Sequence, residues 1–325
     1  MNILLLAVGL IVLLFAAGAV FTHLYARRVA RLYPPVGRFI EIDGCRLHYL
    51  ERGPEEGEAL GTIVLLHGAS SNLVEIMLGL GSQLARYRVI AFDRPGFGWS
   101  ERRLVMETAD PSWQAEVIAK ALRRLGIRNA VVVGHSWSGT IAPHFALDHT
   151  DVAGAIVVLA GITSPWPGGY VGWYRRIAAS WFGRLLSWTV GIPITLLLRR
   201  QALRKTFAPC PVPPDFMERA AVPVDLRPRP FHATAQDLAA MYDAVRRQSL
   251  RYAEIRMPVL VIAGDSDEIV WTDLHSRSFV REVPGAELVV LPSLGHMPHY
   301  ARPDLVIPRI EALAARIAPA RAGAP

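Results

Sequence analysis

The chain's chemistry is concentrated around one serine. Gly134-His135-Ser136-Trp137-Ser138-Gly139 follows directly on the apolar run Ala130-Val131-Val132-Val133 and leads into a helix-compatible stretch. A strand, a tight turn of small residues around a serine and then a helix form a nucleophile elbow, which lifts the hydroxyl clear of the sheet. Ser138 is a second hydroxyl, but it lies too far into the helix to occupy the tip. A serine hydroxyl attacks poorly until a base takes its proton and an acid orients that base. Both follow downstream. His296 lies in Ser293-Leu294-Gly295-His296-Met297-Pro298-His299, after the last apolar run, and an imidazole can take and return a proton near neutral pH. His299 is the alternative base. The acid comes from Gly264-Asp265-Ser266-Asp267-Glu268, where spacing leaves both Asp265 and Asp267 open. The chemistry these types serve is acyl transfer through a covalent serine ester.

These side chains need a scaffold that delivers loops to one edge. Short continuous apolar runs at 62–66, 88–92, 130–133, 155–160, 259–263 and 287–291 predict buried parallel strands. Residues 39–43 and 45–51 flank Asp43-Gly44 and predict a hairpin. Asp110-Pro111 predicts a helix start, with Val117, Ile118, Ala121, Leu122 and Leu125 at helical spacing and Gly126 as the stop. Asn72 with Glu75 predicts a capping box for the helix after the 62–66 strand. Alternating strands and helices predict an α/β fold, a mostly parallel sheet with helices on both faces. About ninety residues between Gly161 and Val259 interrupt the alternation. A structureless loop of that length does not fit a compact domain, and 170–188, 194–207 and 234–251 read as helices, so the segment is expected to be an inserted helical cap. The tail from Ala318 is small-residue and expected to fray.

Residues 3–22 carry no charge, and Arg27, Arg28 and Arg31 follow. Twenty residues at about 1.5 Å each span a bilayer's hydrocarbon core of about 30 Å. The run is too long, and its leading segment too uncharged, for a cleaved signal, so an uncleaved anchor is expected. The arginines behind it place the main domain in the cytoplasm. With 52% hydrophobic and 19% charged residues the chain can fill a large core, which excludes bulk disorder. The net charge of +7 comes from scattered arginines with no dense basic stripe, so anionic lipid, not nucleic acid, is the expected partner. Two distant cysteines, Cys45 and Cys210, make no disulfide framework.

With His67-Gly68, Asp93-Arg94-Pro95-Gly96-Phe97-Gly98-Trp99-Ser100, the Ser136 elbow, 258–264 with Asp267, and Gly295-His296 assembled, the chain resembles the α/β-hydrolase superfamily over about 39–317. The resemblance implies the α/β-hydrolase fold with an inserted helical cap, and it selects Asp267 over Asp265. It places the oxyanion donors at the backbone N–H groups of Ala69 and Trp137. Together with the apolar N-terminal run, this divides the chain into an expected anchor at 1–32, core at 33–161, cap at 162–252 and core again at 253–325. Trp271 and Ala301-Arg302 depart from the usual residues without touching the triad. A serine nucleophile points away from the branches that need an aspartate there.

The expectation is a membrane-anchored serine hydrolase of carboxylic esters with lipid-like acyl groups, using Ser136, Asp267 and His296, with no metal or organic cofactor. Cap tryptophans Trp173 and Trp181 are expected to line an acyl pocket, with an interfacial role as the other reading of that aromatic and arginine-rich segment. An acyltransferase, thioesterase or cofactor-free perhydrolase would use the same triad. An inactive membrane-tethered binding module is the remaining alternative.

Overall fold

The computed structural model describes residues 3–169 and 172–317. Tyr170, the expected start of the first cap helix, and the tail from Ala318 lie outside the described residues.

Helix α1 (Ile3–Leu32) precedes the hairpin β1 (Arg38–Ile42) and β2 (Cys45–Arg52). Ile42 pairs with Cys45, and Asp43 and Gly44 take φ of +50° and +73°, as a two-residue hairpin turn requires. Then follow β3 (Thr62–Leu66), α2 (Leu73–Gly79), β4 (Arg88–Phe92), α3 (Pro111–Arg124), β5 (Ala130–His135), α4 (Ala142–Asp148) and β6 (Ala153–Leu159). The long gap holds α5 (Trp173–Ala179), α6 (Trp181–Trp188), α7 (Gly191–Phe207), α8 (Phe216–Arg219), α9 (Val222–Asp225) and α10 (Pro228–Ser249). The chain returns through β7 (Val259–Gly264), α11 (Ser276–Glu282), β8 (Glu287–Leu291), α12 (Pro298–Ala301) and α13 (Pro303–Ile317).

Among the described residues the strands form one sheet in the order β1-β2-β4-β3-β5-β6-β7-β8, antiparallel at β1 and β2 and parallel from β4 to β8. The central strands are buried on both sides, which is why they read as unbroken apolar runs. Apolar residues of α2 and α13 pack with one face, and those of α3, α4, α10 and α11 with the other.

The first expected cap helix is two helices. Ser180 ends α5 in extended backbone, and its hydroxyl accepts from the Gly183 N–H to open α6. The order β4-β3-β5 puts the point where the chain reverses direction across the sheet between β3 and β5, and a crevice opens there beyond the strands' carboxyl ends. The His67-Gly68-Ala69 loop and Ser136 both leave from that edge.

Candidate active site

Ser136 sits at the end of β5 with φ of +54°. A non-glycine residue pays about 1–3 kcal/mol for such backbone unless its surroundings hold it there. Here they leave no alternative. A Cβ on Gly134 would meet the Ser138 carbonyl oxygen at 2.3 Å, and one on Gly139 would meet Gly161 Cα at 2.6 Å. The small residues of the motif therefore let the turn close onto its neighbours. Ser138 is buried, and its hydroxyl donates to the His67 carbonyl at 2.5 Å, so it ties two loops together and is no rival to Ser136.

The loops after β5, β7 and β8 meet at three side chains. Ser136 Oγ lies 2.7 Å from His296 Nε2, and His296 Nδ1 lies 2.8 Å from Asp267 Oδ2. Asp267 Oδ1 accepts from the N–H groups of Ile269 and Val270 at 2.8 and 2.9 Å, which aims the other oxygen at the imidazole. All three residues are buried. The pair that spacing left open is separated here. Asp265 turns away, accepting from the Ser266 hydroxyl and the Ser293 N–H, so it staples the β8 loop. His299 is buried beside Glu75, 3.4 Å from its Oε1.

His67 is a structural residue. Its Nδ1–H donates to the Gly68 carbonyl and its Nε2 accepts from the Arg94 N–H. Burial, and then the Arg94 charge, hold its pKa well below the usual imidazole range, so it stays neutral. Arg94 Nε donates to the His67 carbonyl and Nη2 to the Gly68 carbonyl, each at 3.1 Å. A peptide is planar and trans, so a Gly68 carbonyl turned to Arg94 turns the Ala69 N–H the opposite way. Ala69 lines the cavity at Ser136. Trp137 begins the turn after Ser136, where backbone N–H groups lack partners within the helix.

A cavity of about 350 Å³ opens at Ser136 and His296. Leu203, Phe207, Phe216, Val222, Leu226 and Met297 form its apolar wall, with Thr195, Arg199 and Asp225 among its polar lining. A serine–imidazole–carboxylate chain at the mouth of such a cavity can attack a carbonyl and return the proton to a leaving group.

A sequence profile of the alpha/beta hydrolase fold matches residues 61–303. This chain belongs to that family. It is 27% identical over 270 residues to the dihydrolipoyllysine-residue acetyltransferase component of an acetoin cleaving system from Pseudomonas putida, covering 81% of this chain and 65% of the relative. The first relatives are thus longer proteins, of which this chain spans two thirds or less. It is 26% identical over 278 residues to 2-hydroxy-6-oxo-6-phenylhexa-2,4-dienoate hydrolase from Burkholderia cepacia, covering 81% and 89% of the two chains. The crystal structure of a membrane phospholipase A, a bacterial virulence factor, matches in fold with a TM-score of 0.65 and 22% identity, over 98% of this chain and 97% of the other.

Within this α/β hydrolase the cap supplies different residues from those expected. Trp173 and Trp181 are 67% and 79% exposed and do not line the Ser136 cavity. The short helices α5 and α6 turn these rings outward, and the cavity wall is built by α7, α8 and α9 instead. The capping box is also half of one. Asn72 caps α2 by accepting from Val74 and Glu75 N–H, but the Glu75 carboxylate turns to the Ser71 hydroxyl and His299.

Sequence reading missed the buried link between site and cap. Asp237 on α10 pairs with Arg94 and Arg102, each at 2.8 Å, with all three side chains fully buried. A carboxylate among the apolar residues of a helix face was the available signal, because such a group requires partners. His135 was also missed. Its Nε2–H donates to the His296 carbonyl at 3.1 Å and so holds the base's backbone, while burial, and then His299 and His296, depress its own pKa.

Proposed function

We propose that this chain is a membrane-anchored serine hydrolase of carboxylic esters with apolar acyl groups. The observation that carries the reading is the Ser136–His296–Asp267 chain of hydrogen bonds opening into a cavity with an apolar wall. Ser136 Oγ attacks the ester carbonyl as His296 Nε2 takes its proton. The Ala69 and Trp137 N–H groups receive the developing oxyanion. His296 returns the proton to the leaving alcohol, and Asp267 stabilises the imidazolium between the two transfers. Water, activated by His296, then releases the acid and regenerates Ser136.

The membrane setting rests on α1 and the cap face beside it. The first half of α1 is exposed apolar surface, and further along the helix Thr22 meets the cap, its hydroxyl donating to the Thr189 carbonyl. Trp181, Leu197 and Leu198 stand exposed on α6 and α7, the cap helices that α1 touches, and Trp173 stands exposed on α5. Aromatic and aliphatic side chains at the exit of an anchor suit the headgroup boundary. The arginines after residue 22 favour a cytoplasmic domain.

The test is a variant series on purified, detergent-solubilised protein. Ser136→Ala should lower ester turnover on the order of 10⁴-fold with the circular dichroism spectrum unchanged. Asp267→Asn should approach that loss, whereas Asp265→Asn should cost mainly stability. Near-normal turnover in Ser136→Ala, or the reverse ranking of the two aspartates, rejects the assignment.

A further inference from the structure

Arginines that stand far apart in the sequence are gathered beside the second half of α1, away from the Ser136 site. Two cavities open there, of about 470 and 350 Å³. Arg103 and Arg184 line the first, and Arg27 and Arg227 line the second. Glu101, Trp188 and Arg229 line both, so the two adjoin as one groove. Its walls come from α1, the loop after β4, α6 and the start of α10.

The groove is rich in cations and short of acid. Arg27, Arg103, Arg184 and Arg229 are exposed, and among the described residues no carboxylate pairs with them. Arg229 donates to the Arg102 carbonyl at 3.5 Å. Glu101, the one carboxylate lining either cavity, faces Arg46 at 3.8 Å. Arg227 is engaged as well, stacked over Trp99 at 4.0 Å and donating to the Val224 carbonyl at 3.0 Å. Like charges gathered in one groove repel, and a bound anion relieves that repulsion. The groove also has a defined depth. The uncharged run of α1 ends at Thr22, and Arg27 lies about 7 Å further along at about 1.5 Å per residue. Headgroups add about 5–8 Å on each side of a bilayer's hydrocarbon core.

We infer that this groove binds the phosphoryl headgroup of an anionic phospholipid from the leaflet next to the domain. The inference rests on the anchor reading above and is independent of the ester chemistry at Ser136. Guanidinium groups pair with phosphate oxygens through charge-assisted, often bidentate hydrogen bonds. Arg27 stands at headgroup depth, and an exposed Trp188 on the shared wall suits the same layer. Exposed, unpaired arginines welcome a headgroup of net negative charge. They repel the ammonium of a zwitterionic one, so phosphatidylglycerol is favoured over phosphatidylcholine.

The experiment is native mass spectrometry of the full-length protein in detergent micelles, with dioleoyl phosphatidylglycerol and dioleoyl phosphatidylcholine offered in equal amounts. The wild type should retain the anionic lipid in preference by about tenfold or more. Arg184→Gln with Arg229→Gln should lower that preference by about fivefold or more, because one arginine near a headgroup is worth about fivefold in affinity. Arg28→Gln with Arg31→Gln removes the same charge from α1 outside the groove and should lower it by less than about twofold. Circular dichroism reports that each variant is folded. If the groove variant fails to fold, Arg103→Gln alone decides, with about a fivefold loss expected. A wild-type preference near one, or equal losses in the two double variants, overturns the groove. Displacement of the lipid by millimolar inorganic phosphate, but not by sodium chloride of the same ionic strength, would make it a site for free phosphate and overturn it too. The anchor is tested separately by carbonate extraction of vesicles carrying the protein, which should leave it in the membrane pellet. Its release would overturn the anchor reading and the lipid site together.

Discussion

The loops at the sheet edge and the helices above them are built on opposite terms. Around Ser136 the chain is buried, and the serine, imidazole and carboxylate are each held by named partners, while His135 Nδ1 and His299 Nδ1 beside them have none. Asp93 alone accepts from the Leu73 N–H, the Trp99 N–H and His48, fastening three separate segments behind the site. The cap presents Trp173, Trp181 and Leu197 to its surroundings and lines its side of the cavity mainly with Leu203, Phe207, Phe216, Val222 and Leu226. Hydrogen-bonded loops fix the reacting groups in place, and an apolar wall is where a substrate's chain can be buried. Under the proposed function, the edge sets the reaction type and the cap the substrate choice.

Breaking the joint between the two regions should have the largest effect on stability. Asp237 neutralises Arg94 and Arg102 where water cannot, and burial already draws the Arg94 pKa down to about 10. Asp237→Ala leaves two buried cations unpaired and should cost about 3–5 kcal/mol in urea unfolding. Because Arg94 also turns the His67 and Gly68 carbonyls, ester turnover should fall with it. A loss below about 1 kcal/mol would mean that edge and cap are held together elsewhere.

A second joint responds to acid. His275 Nδ1 accepts from the Thr163 and Ser164 N–H groups, where the chain leaves β6 for the cap. Burial lowers its pKa from 6.5 to about 4. The folded state needs the neutral ring, and between about pH 6.5 and 4 the unfolded chain binds the extra proton. Its contribution is therefore complete above that window and is lost as pH falls through it, by about 3 kcal/mol in all. Unfolding free energies at pH 7 and pH 4.5 should differ less in His275→Asn than in the wild type. Equal pH dependence in both proteins would remove His275 from the account.

The smallest expected effects sharpen the division inside the cap. Phe216→Ala should flatten the rise of kcat/KM with acyl length, since each methylene buried in the cavity is worth about 0.8 kcal/mol at most. Trp181→Ser should leave that rise intact and weaken turnover on anionic vesicles a few-fold. The opposite pattern would return the exposed tryptophans to the acyl pocket.

Much of the edge was legible from residue order, because a parallel strand buried on both faces leaves an unbroken apolar run and a loop at its end. The 62–66, 88–92 and 287–291 runs coincide with β3, β4 and β8. The choice of Asp267 was not legible from spacing, since both aspartates sit in one tight loop and only backbone N–H groups decide which turns inward. The cap was less readable still. Helical periodicity shows which residues share a face, but not which face meets the sheet, the cavity or the outside. The Asp237–Arg94 and Asn72–Asp225 contacts join residues more than a hundred positions apart, and local pattern carries no trace of them.

Gly18 of α1 has no room for a side chain, since a Cβ there would meet the Thr189 carbonyl oxygen at 2.8 Å. Together with the Thr22–Thr189 hydrogen bond, this seats the helix directly on the cap with no linker between them. A domain on a flexible linker tumbles and samples every orientation within reach. A domain bolted to a bilayer-crossing rod takes its heading from that rod, and such rods lean further as the lipid layer thins. For a chain anchored as proposed, the aim of the cavity mouth at the lipid surface becomes a function of bilayer thickness.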